Sequence, residues 1–259
     1  MNLPGYIQFE TNTACNSHCT FCPHDKMKKR EKASDDLIEK VIRETIPTAY
    51  EACPFLMQEP LLEPRLREIL LKIKQTNPRC TTTIYTTLNG PIGPLFEIID
   101  DHTLDNIYLS IYSQEWQKFD LDESDQKLIK LIRYRDTQLL KKPRFIWQAI
   151  NDIKPYRTGI AEEMCDYRRL VPIDTFHGKM PTTVRSRGPA KERKPCRRII
   201  DTLNVLSNGD IVPCCIDFEG EMAMGNMYEK SAAQIWNGKK FRNFRKMHEE
   251  GKWSQIDLC

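Results

Sequence analysis

The sequence predicts an α/β chain of parallel βα units followed by a small β-hairpin and helix, on three observations. Short apolar, strand-like runs alternate with amphipathic helical ones along the first two thirds of the chain. The alternation breaks at MPTTVRSRGPAKERKPC, a stretch rich in proline, glycine and charge. Beyond it, Asn208-Gly209 joins two β runs in TLNVLSNGDIVPCC, a strong short-range hairpin signal.

Each element has its own warrant. YIQFE (residues 6–10) alternates as a strand does. DDLIEKVIRETI (35–46) carries Leu37, Ile38, Val41 and Ile42 on one helical face, with Ser34 as the expected N-cap. PFLM (54–57) reads as a strand and PRLREILLKIKQT as the following helix. TTIYTT (82–87) and NIYLSIYS (106–113) are further strands, separated by helical LFEIID. A charged helix over 125–137 leads into RFIWQAI (144–150), and LVPID (170–174) closes the series as a sixth strand. Right-handed βα repetition of this kind gives either a doubly wound sheet or a full or partial barrel. A final helix is expected through AAQIWNGKKFRNFRKMHEE.

With 259 residues the chain can bury a proper core without disulfides. It is 40% hydrophobic and 29% charged with a net charge of +3, which does not point to nucleic acid or membrane as a partner. No apolar run has bilayer-spanning length, and MNLPGYIQFE lacks a basic-then-apolar leader, so the expected compartment is cytoplasmic. Ten cysteines in a reducing compartment point to metal or redox chemistry instead of a disulfide framework. The basic run Arg185, Arg187, Lys191, Arg193, Lys194, Arg197 and Arg198 reads as a solvated linker, with an anionic substrate or RNA as the alternative.

The sharpest feature is TACNSHCTFCPHD, where Cys15, Cys19 and Cys22 are spaced C-x3-C-x2-C directly after the first strand. Structural zinc takes four ligands, usually as two separated pairs, and neither His18 nor His24 completes such a spacing. A four-iron cluster held by three thiolates instead keeps one iron open for a ligand. With aromatic Phe21 before the last cysteine, the loop resembles the signature of the radical S-adenosylmethionine (radical SAM) superfamily. That resemblance implies a partial (βα)6 TIM-like barrel with a [4Fe-4S] cluster at its mouth. SAM would bind the open iron and be cleaved to methionine and a 5′-deoxyadenosyl radical that takes a hydrogen atom from substrate. MQEPLLEP resembles the family's GEP-type motif for the SAM amino group, matched by Glu59 and Pro60, with Gln58 where the motif has glycine. TTLNG, with Thr87 and Asn89, resembles its third-strand end. Ser110 stands at its polar fourth-strand position, or is a plain strand hydroxyl. Tyr85, Tyr108 and Tyr112 read as core or barrel-lining residues.

Cys196, Cys214, Cys215 and Cys259 form a second group. The frame C...NVLSNGDIVPCCIDF...MGN...IWN...LC resembles the SPASM/Twitch extension of radical SAM enzymes, which implies a second, auxiliary iron-sulfur cluster with Cys196, Cys214 and Cys259 as ligands. The expected domains are therefore a radical SAM partial barrel over 1–180 and a SPASM/Twitch-like domain over 181–259. The family pattern closes with C-x2-C whereas this chain stops at Cys259; a shortened C-terminus is the expectation, with Cys215 or a substrate group as the alternative fourth ligand. Cys215 is a structural cysteine, a hydrogen-atom donor as in epimerases of the superfamily, or a ligand. Cys53, Cys80 and Cys165 have no metal spacing and read as small hydrophobes.

The compact frame is similar to a Twitch-type dehydrogenase of aminocyclitol antibiotic biosynthesis. The expected activity is therefore oxidation or epimerisation of a small polyhydroxylated molecule, with a reductant such as flavodoxin or ferredoxin. A peptide maturase or RNA-modifying radical SAM enzyme is the alternative, and a non-catalytic zinc or iron-sulfur module a third. Substrate candidates are Lys179, Arg185 and Arg187, each otherwise a surface charge, and Gln8 and Glu10, which share a strand face.

Overall fold

The computed structural model describes residues 2–111, 121–150, 164–171 and 194–259. Among these residues nine strands form a sheet of order β6-β5-β4-β3-β2-β1-β7-β8-β9. Strands β1 (Tyr6–Phe9), β2 (Glu51–Cys53), β3 (Thr81–Thr86), β4 (Asn106–Leu109), β5 (Arg144–Ile150) and β6 (Tyr167–Val171) are all parallel and follow chain order. Because the order never reverses, crossovers of one hand lay their helices on one face, and the doubly wound alternative is ruled out. This is the α/β arrangement of a partial barrel.

On the outer face Ile7 and Phe9 pack against Leu37, Ile38, Val41 and Ile42 of α1 (Asp35–Thr45). Ser34 starts that helix as expected, its Oγ accepting from the Leu37 N–H at 3.1 Å. Ile84, Ile107, Leu109, Phe145 and Trp147 form a second buried cluster with side chains of α2 (Leu66–Thr76), α3 (Gly93–Asp100) and α4 (Leu121–Thr137). Each fully buried aliphatic or aromatic side chain contributes about 1.5–3 kcal/mol, so this face holds the sheet to its helices. The opposite face is polar and aromatic. Tyr85 stacks on Tyr108 at 4.6 Å and on Phe55 at 5.5 Å, the Arg169 guanidinium lies 5.5 Å over Tyr108, and Asn106 Nδ2 donates to Thr83 Oγ1. Tyr85 and Tyr108 thus line the inner face; Tyr112 lies outside the described residues.

The hairpin is continuous with the barrel sheet. β7 (Thr202–Val205) pairs parallel with β1, and β8 (Asp210–Val212) and β9 (Gly225–Asn226) follow antiparallel. Gly209 takes φ +84° in the connecting turn, where a Cβ would meet the Tyr228 ring at 3.0 Å. The expected domain boundary at 180/181 lies outside the described residues.

Four expectations shift. β2 is Glu51–Cys53 instead of PFLM, because Pro54 has no N–H to give the ladder and ends the strand. β6 starts at Tyr167, ahead of LVPID, and α4 starts at Leu121, four residues early. The last helix is two: α6 (Ala232–Trp236), opened by a Ser231/Gln234 capping box, and α7 (Lys239–Glu249). They divide at Asn237-Gly238, where Gly238 becomes the N-cap of α7 and a Cβ would approach the Ile235 carbonyl oxygen to 3.0 Å. The short α5 (Arg198–Asp201) and β9 carried no readable pattern. No described helix is long and apolar enough to cross a membrane.

Candidate active site

The three-cysteine loop leaves the C-terminal end of β1, the edge of a βα sheet where functional side chains collect. Its base is clamped from two sides. Gln58, standing where the GEP-type motif has glycine, accepts from the Thr11 N–H at 3.0 Å and donates to Thr11 Oγ1 at 2.5 Å. Asn12 donates to Glu63 at 2.9 Å and accepts from the Ala14 N–H at 2.8 Å. Arg65 bridges Glu63, Asp35 and the Thr11 carbonyl. Burial pushes the Glu63 carboxyl up, but hydrogen bonds from Arg65 and Asn12 outweigh it and hold the group below its ordinary range. On the other side Thr13 exchanges hydrogen bonds with Glu31. The buried His24 ring contacts the Thr13 carbonyl at 2.8 Å and Arg30, while His18 pairs with Asp25 at 3.0 Å. Both histidines are thus engaged locally.

Cys15, Cys19 and Cys22 form no disulfide and are half-buried. The Cys22 N–H donates to the Cys19 carbonyl at 3.0 Å, which turns the loop back on itself. Burial pushes the Cys22 thiol up to about 12, the nearby Cys15 adding to the effect, and burial likewise raises Cys15. Thiols raised in this way ionise side by side only around a cationic centre. Among the described residues no three His, Cys, Asp or Glu converge on a point that suits a single metal ion. A cluster asks something different, since each thiolate binds its own iron corner, and three unlinked thiols on one eight-residue loop fit that group.

The ends of β2 and β3 brace this loop. The Glu59 carboxylate is buried and accepts from Thr86 Oγ1 at 2.6 Å, from the Thr87 N–H and Oγ1 at 3.0 and 2.9 Å, and from the Leu61 N–H at 3.2 Å. Burial nonetheless leaves its proton affinity raised. The Glu59 N–H donates to Ala14 of the cysteine loop, and buried Pro60 opens a short 3-10 turn behind it. Thr87 Oγ1 lies 3.1 Å from Ser17 Oγ, and Asn89 donates to both Ser17 Oγ and the Asn16 carbonyl. Glu59, Thr87 and Asn89 therefore join the strand ends to the cysteine loop. Ser110 is further along the sheet and accepts from Gln148 at 3.2 Å, and Phe21 is half-buried within the loop.

The second cysteine group is also brought together. Cys196, Cys214, Cys215 and Cys259 share one cluster with Ile199, Ile216, Phe244, Ile256 and Leu258. A hydrogen bond to Cys215, followed by burial, pushes the Cys214 thiol well up. The Arg198 guanidinium donates to Cys215 Sγ at 3.1 Å, and Cys215 also packs beside Leu56, Met57 and Val212. Cys53 and Cys80 are buried away from both groups and Cys165 is half-buried against the helix-side core, as expected of small hydrophobes.

Glu10 sits at the junction of β1 and the hairpin. Its Oε2 accepts from the Ser207 N–H at 3.2 Å and Oγ at 2.9 Å, while its buried Oε1 has no hydrogen-bond partner among the described residues. Burial pushes this carboxyl up to about 7 against the Ser207 hydrogen bonds. Gln8 shares the inner face and lies beside the buried Cys53 thiol. Lys179, Arg185 and Arg187 lie outside the described residues. Ser17, Thr86, Gln148, Ser207 and His248 were missed by sequence reasoning. Ser17, lying within the C-x3-C segment, and Thr86, the first residue of TTLNG, carried a signal that pointed to them.

Residues 196–259 match the family model of SPASM, an iron-sulfur cluster-binding domain, and the match starts on Cys196. Over 262 aligned residues, 98% of this chain and 90% of the relative, the sequence is 22% identical to the S-adenosyl-L-methionine-dependent 2-deoxy-scyllo-inosamine dehydrogenase of Niallia circulans. BtrN in complex with AdoMet and 2-DOIA has a similar structure, with a TM-score of 0.72 at 20% identity, over 100% of this chain and 92% of that one. Streptococcus suis SuiB bound to precursor peptide SuiA gives 0.71 at 14% identity, covering 95% and 67%. Native anSMEcpe with bound AdoMet and Cp18Cys peptide gives 0.69 at 11%, covering 99% and 88%. These likenesses show a shared fold, and they agree with both resemblances read from the cysteine groups.

Proposed function

We propose that this chain is a radical SAM oxidoreductase that takes a hydrogen atom from a small polyhydroxylated molecule and oxidises a carbinol carbon. The observation that carries the reading is the three-thiol loop on the C-terminal ends of parallel strands, tied to β2 and β3 through Glu59, Thr87, Ser17 and Asn89. The whole-length similarity to an aminocyclitol dehydrogenase supports the substrate class. Cys15, Cys19 and Cys22 are the proposed ligands of a [4Fe-4S] cluster with SAM, and Cys196, Cys214 and Cys259 those of an auxiliary cluster. When bound, these groups supply reductive SAM cleavage, the hydrogen-abstracting radical and a sink for one electron.

The chain's own residues do the remaining work. Glu59, Thr87 and Asn89 hold the cysteine loop against the strand ends, and the polar inner face of Gln8, Ser110 and Gln148 offers donors and acceptors to hydroxyl groups. Oxidation of a carbinol also releases a proton. Glu10, buried with one carboxylate oxygen unpaired among the described residues, is the group proposed to take it. A flavodoxin- or ferredoxin-type protein is the proposed reductant. In an anaerobic assay with SAM, dithionite and an aminocyclitol, the product should be two hydrogens lighter and match 5′-deoxyadenosine one to one. Deoxyadenosine without any oxidised cyclitol would overturn the substrate assignment.

Epimerisation is the second reading, favoured by the half-buried Cys215 thiol lying between the C-terminal cysteine cluster and Leu56–Met57. It predicts a product of unchanged mass that carries one solvent hydrogen, and turnover that stalls in Cys215→Ala while SAM cleavage continues. The likeness to SuiB with its precursor peptide keeps a peptide substrate as a further arm of the same assay.

A further inference from the structure

We infer that His248 donates a hydrogen bond to the Cys259 thiolate and thereby raises the readiness of the proposed auxiliary cluster to accept an electron. This rests on the functional reading above, in which Cys196, Cys214 and Cys259 hold that cluster. His248 is 1% exposed, on the inner side of α7, with its ring 5.1 Å from that of Phe244. Its two nitrogens face the first and last cysteines of the group. Nδ1 lies 3.5 Å from the Cys196 backbone nitrogen, and Nε2 lies 3.4 Å from Cys259 Sγ.

The tautomer follows from these partners. A backbone N–H can only donate, so Nδ1 must present its lone pair, and a neutral imidazole then carries its proton on Nε2. That proton points at the Cys259 sulfur. Ligation through Nε2 would require the opposite tautomer, setting an Nδ1–H against the Cys196 N–H, so His248 is a donor to a ligand and not itself a ligand. Cys259 is held for this contact by its own N–H, which donates to the Ile256 carbonyl at 2.9 Å. An N–H···S bond withdraws negative charge from the sulfur. It therefore favours the reduced cluster more than the oxidised one and moves the potential upward. Oxidation of a carbinol yields, after hydrogen-atom and proton loss, one electron that needs such an acceptor. His248 is a positioning and tuning residue and touches no reacting atom.

The test uses the full chain carrying Cys15→Ala, Cys19→Ala and Cys22→Ala, so that any iron belongs to the second group. Iron content and the midpoint potential, followed by EPR during an anaerobic redox titration, are compared for this parent, for His248→Phe and for His248→Gln. We expect equal iron in all three. The Phe variant should hold its electron about tenfold less tightly, a downward shift of about 59 mV for one electron. The Gln variant, which keeps an N–H donor, should recover most of that shift. An unchanged potential in a His248→Phe chain that keeps its iron overturns the inference, and so does iron lost from both variants, which would make His248 a ligand or a folding residue. A parent that takes up no iron overturns the inference together with the auxiliary site. Deoxyadenosine formation by the chain with all its cysteines is measured alongside, and its absence overturns the functional reading instead.

Discussion

Glu10→Gln should remove a pH dependence of stability that the wild-type chain owes to one buried carboxyl. Glu10 is 3% exposed, and burial raises its pKa from 4.5 to about 7 although Ser207 donates to it twice. At about 1.4 kcal/mol per tenfold change in proton affinity, the folded chain holds this proton about 3 kcal/mol more tightly than the unfolded chain does. Between pH 4.5 and 7 the folded state keeps a proton that the unfolded state has released, so stability falls as pH rises through this window and levels off above it. About 2 kcal/mol of that loss lies between pH 5.5 and 8, which for a chain of this size is roughly 4–8 °C in apparent melting temperature. Anaerobic thermal melts of wild type and Glu10→Gln at pH 5.5 and 8 isolate the effect, because every other titrating group cancels in the difference. The variant should gain relative to wild type on going to pH 8, and Ser207→Ala should push the wild-type window higher. Parallel pH profiles for wild type and Glu10→Gln would show that Glu10 keeps no such proton in the folded chain. If Glu10 takes the substrate's proton, Glu10→Gln should also lose oxidised product while still cleaving SAM.

Two further substitutions probe the brace around the cysteine loop. Glu59→Ala leaves the Thr87 N–H without its buried acceptor and severs the tie from β2 to β3; it should cost about 2–4 kcal/mol in urea unfolding and lower iron uptake by the first cysteine group. Arg65→Met strands the Glu63 carboxylate, whose side chain is 0% exposed, and should cost about 3–5 kcal/mol, with Arg65→Met/Glu63→Gln recovering part of the loss in a double-mutant cycle.

Local patterns carried most of the architecture in the sequence. The 3.6-residue apolar face and Ser34 cap of α1, the Asn208-Gly209 hairpin and the C-x3-C-x2-C spacing are short-range signals, and each was legible because neighbours in sequence are neighbours in space. β2 was displaced because PFLM is apolar enough to pass for a strand, whereas the ladder stops at Pro54 for want of an N–H. The split of the final helix was visible in Gly238 but outweighed by the apolar repeat on either side of it. What stayed illegible is long-range. The Glu10–Ser207 pair spans 197 positions, the Ser17–Thr87 contact spans 70, and His248 meets Cys196 across 52. No periodicity announces such pairs, since they arise only when β7 adds to β1 and when the cysteine loop folds over the end of β3.

Anaerobic reconstitution, followed by counting iron and assaying 5′-deoxyadenosine from SAM and dithionite, in wild type and in the Cys15/Cys19/Cys22→Ala variant, decides whether this chain is a two-cluster radical enzyme. We expect about eight irons per wild-type chain and about four in the variant, with deoxyadenosine formed only by the wild type. Deoxyadenosine from the variant, or a wild-type chain that binds zinc and never cleaves SAM, would contradict that reading.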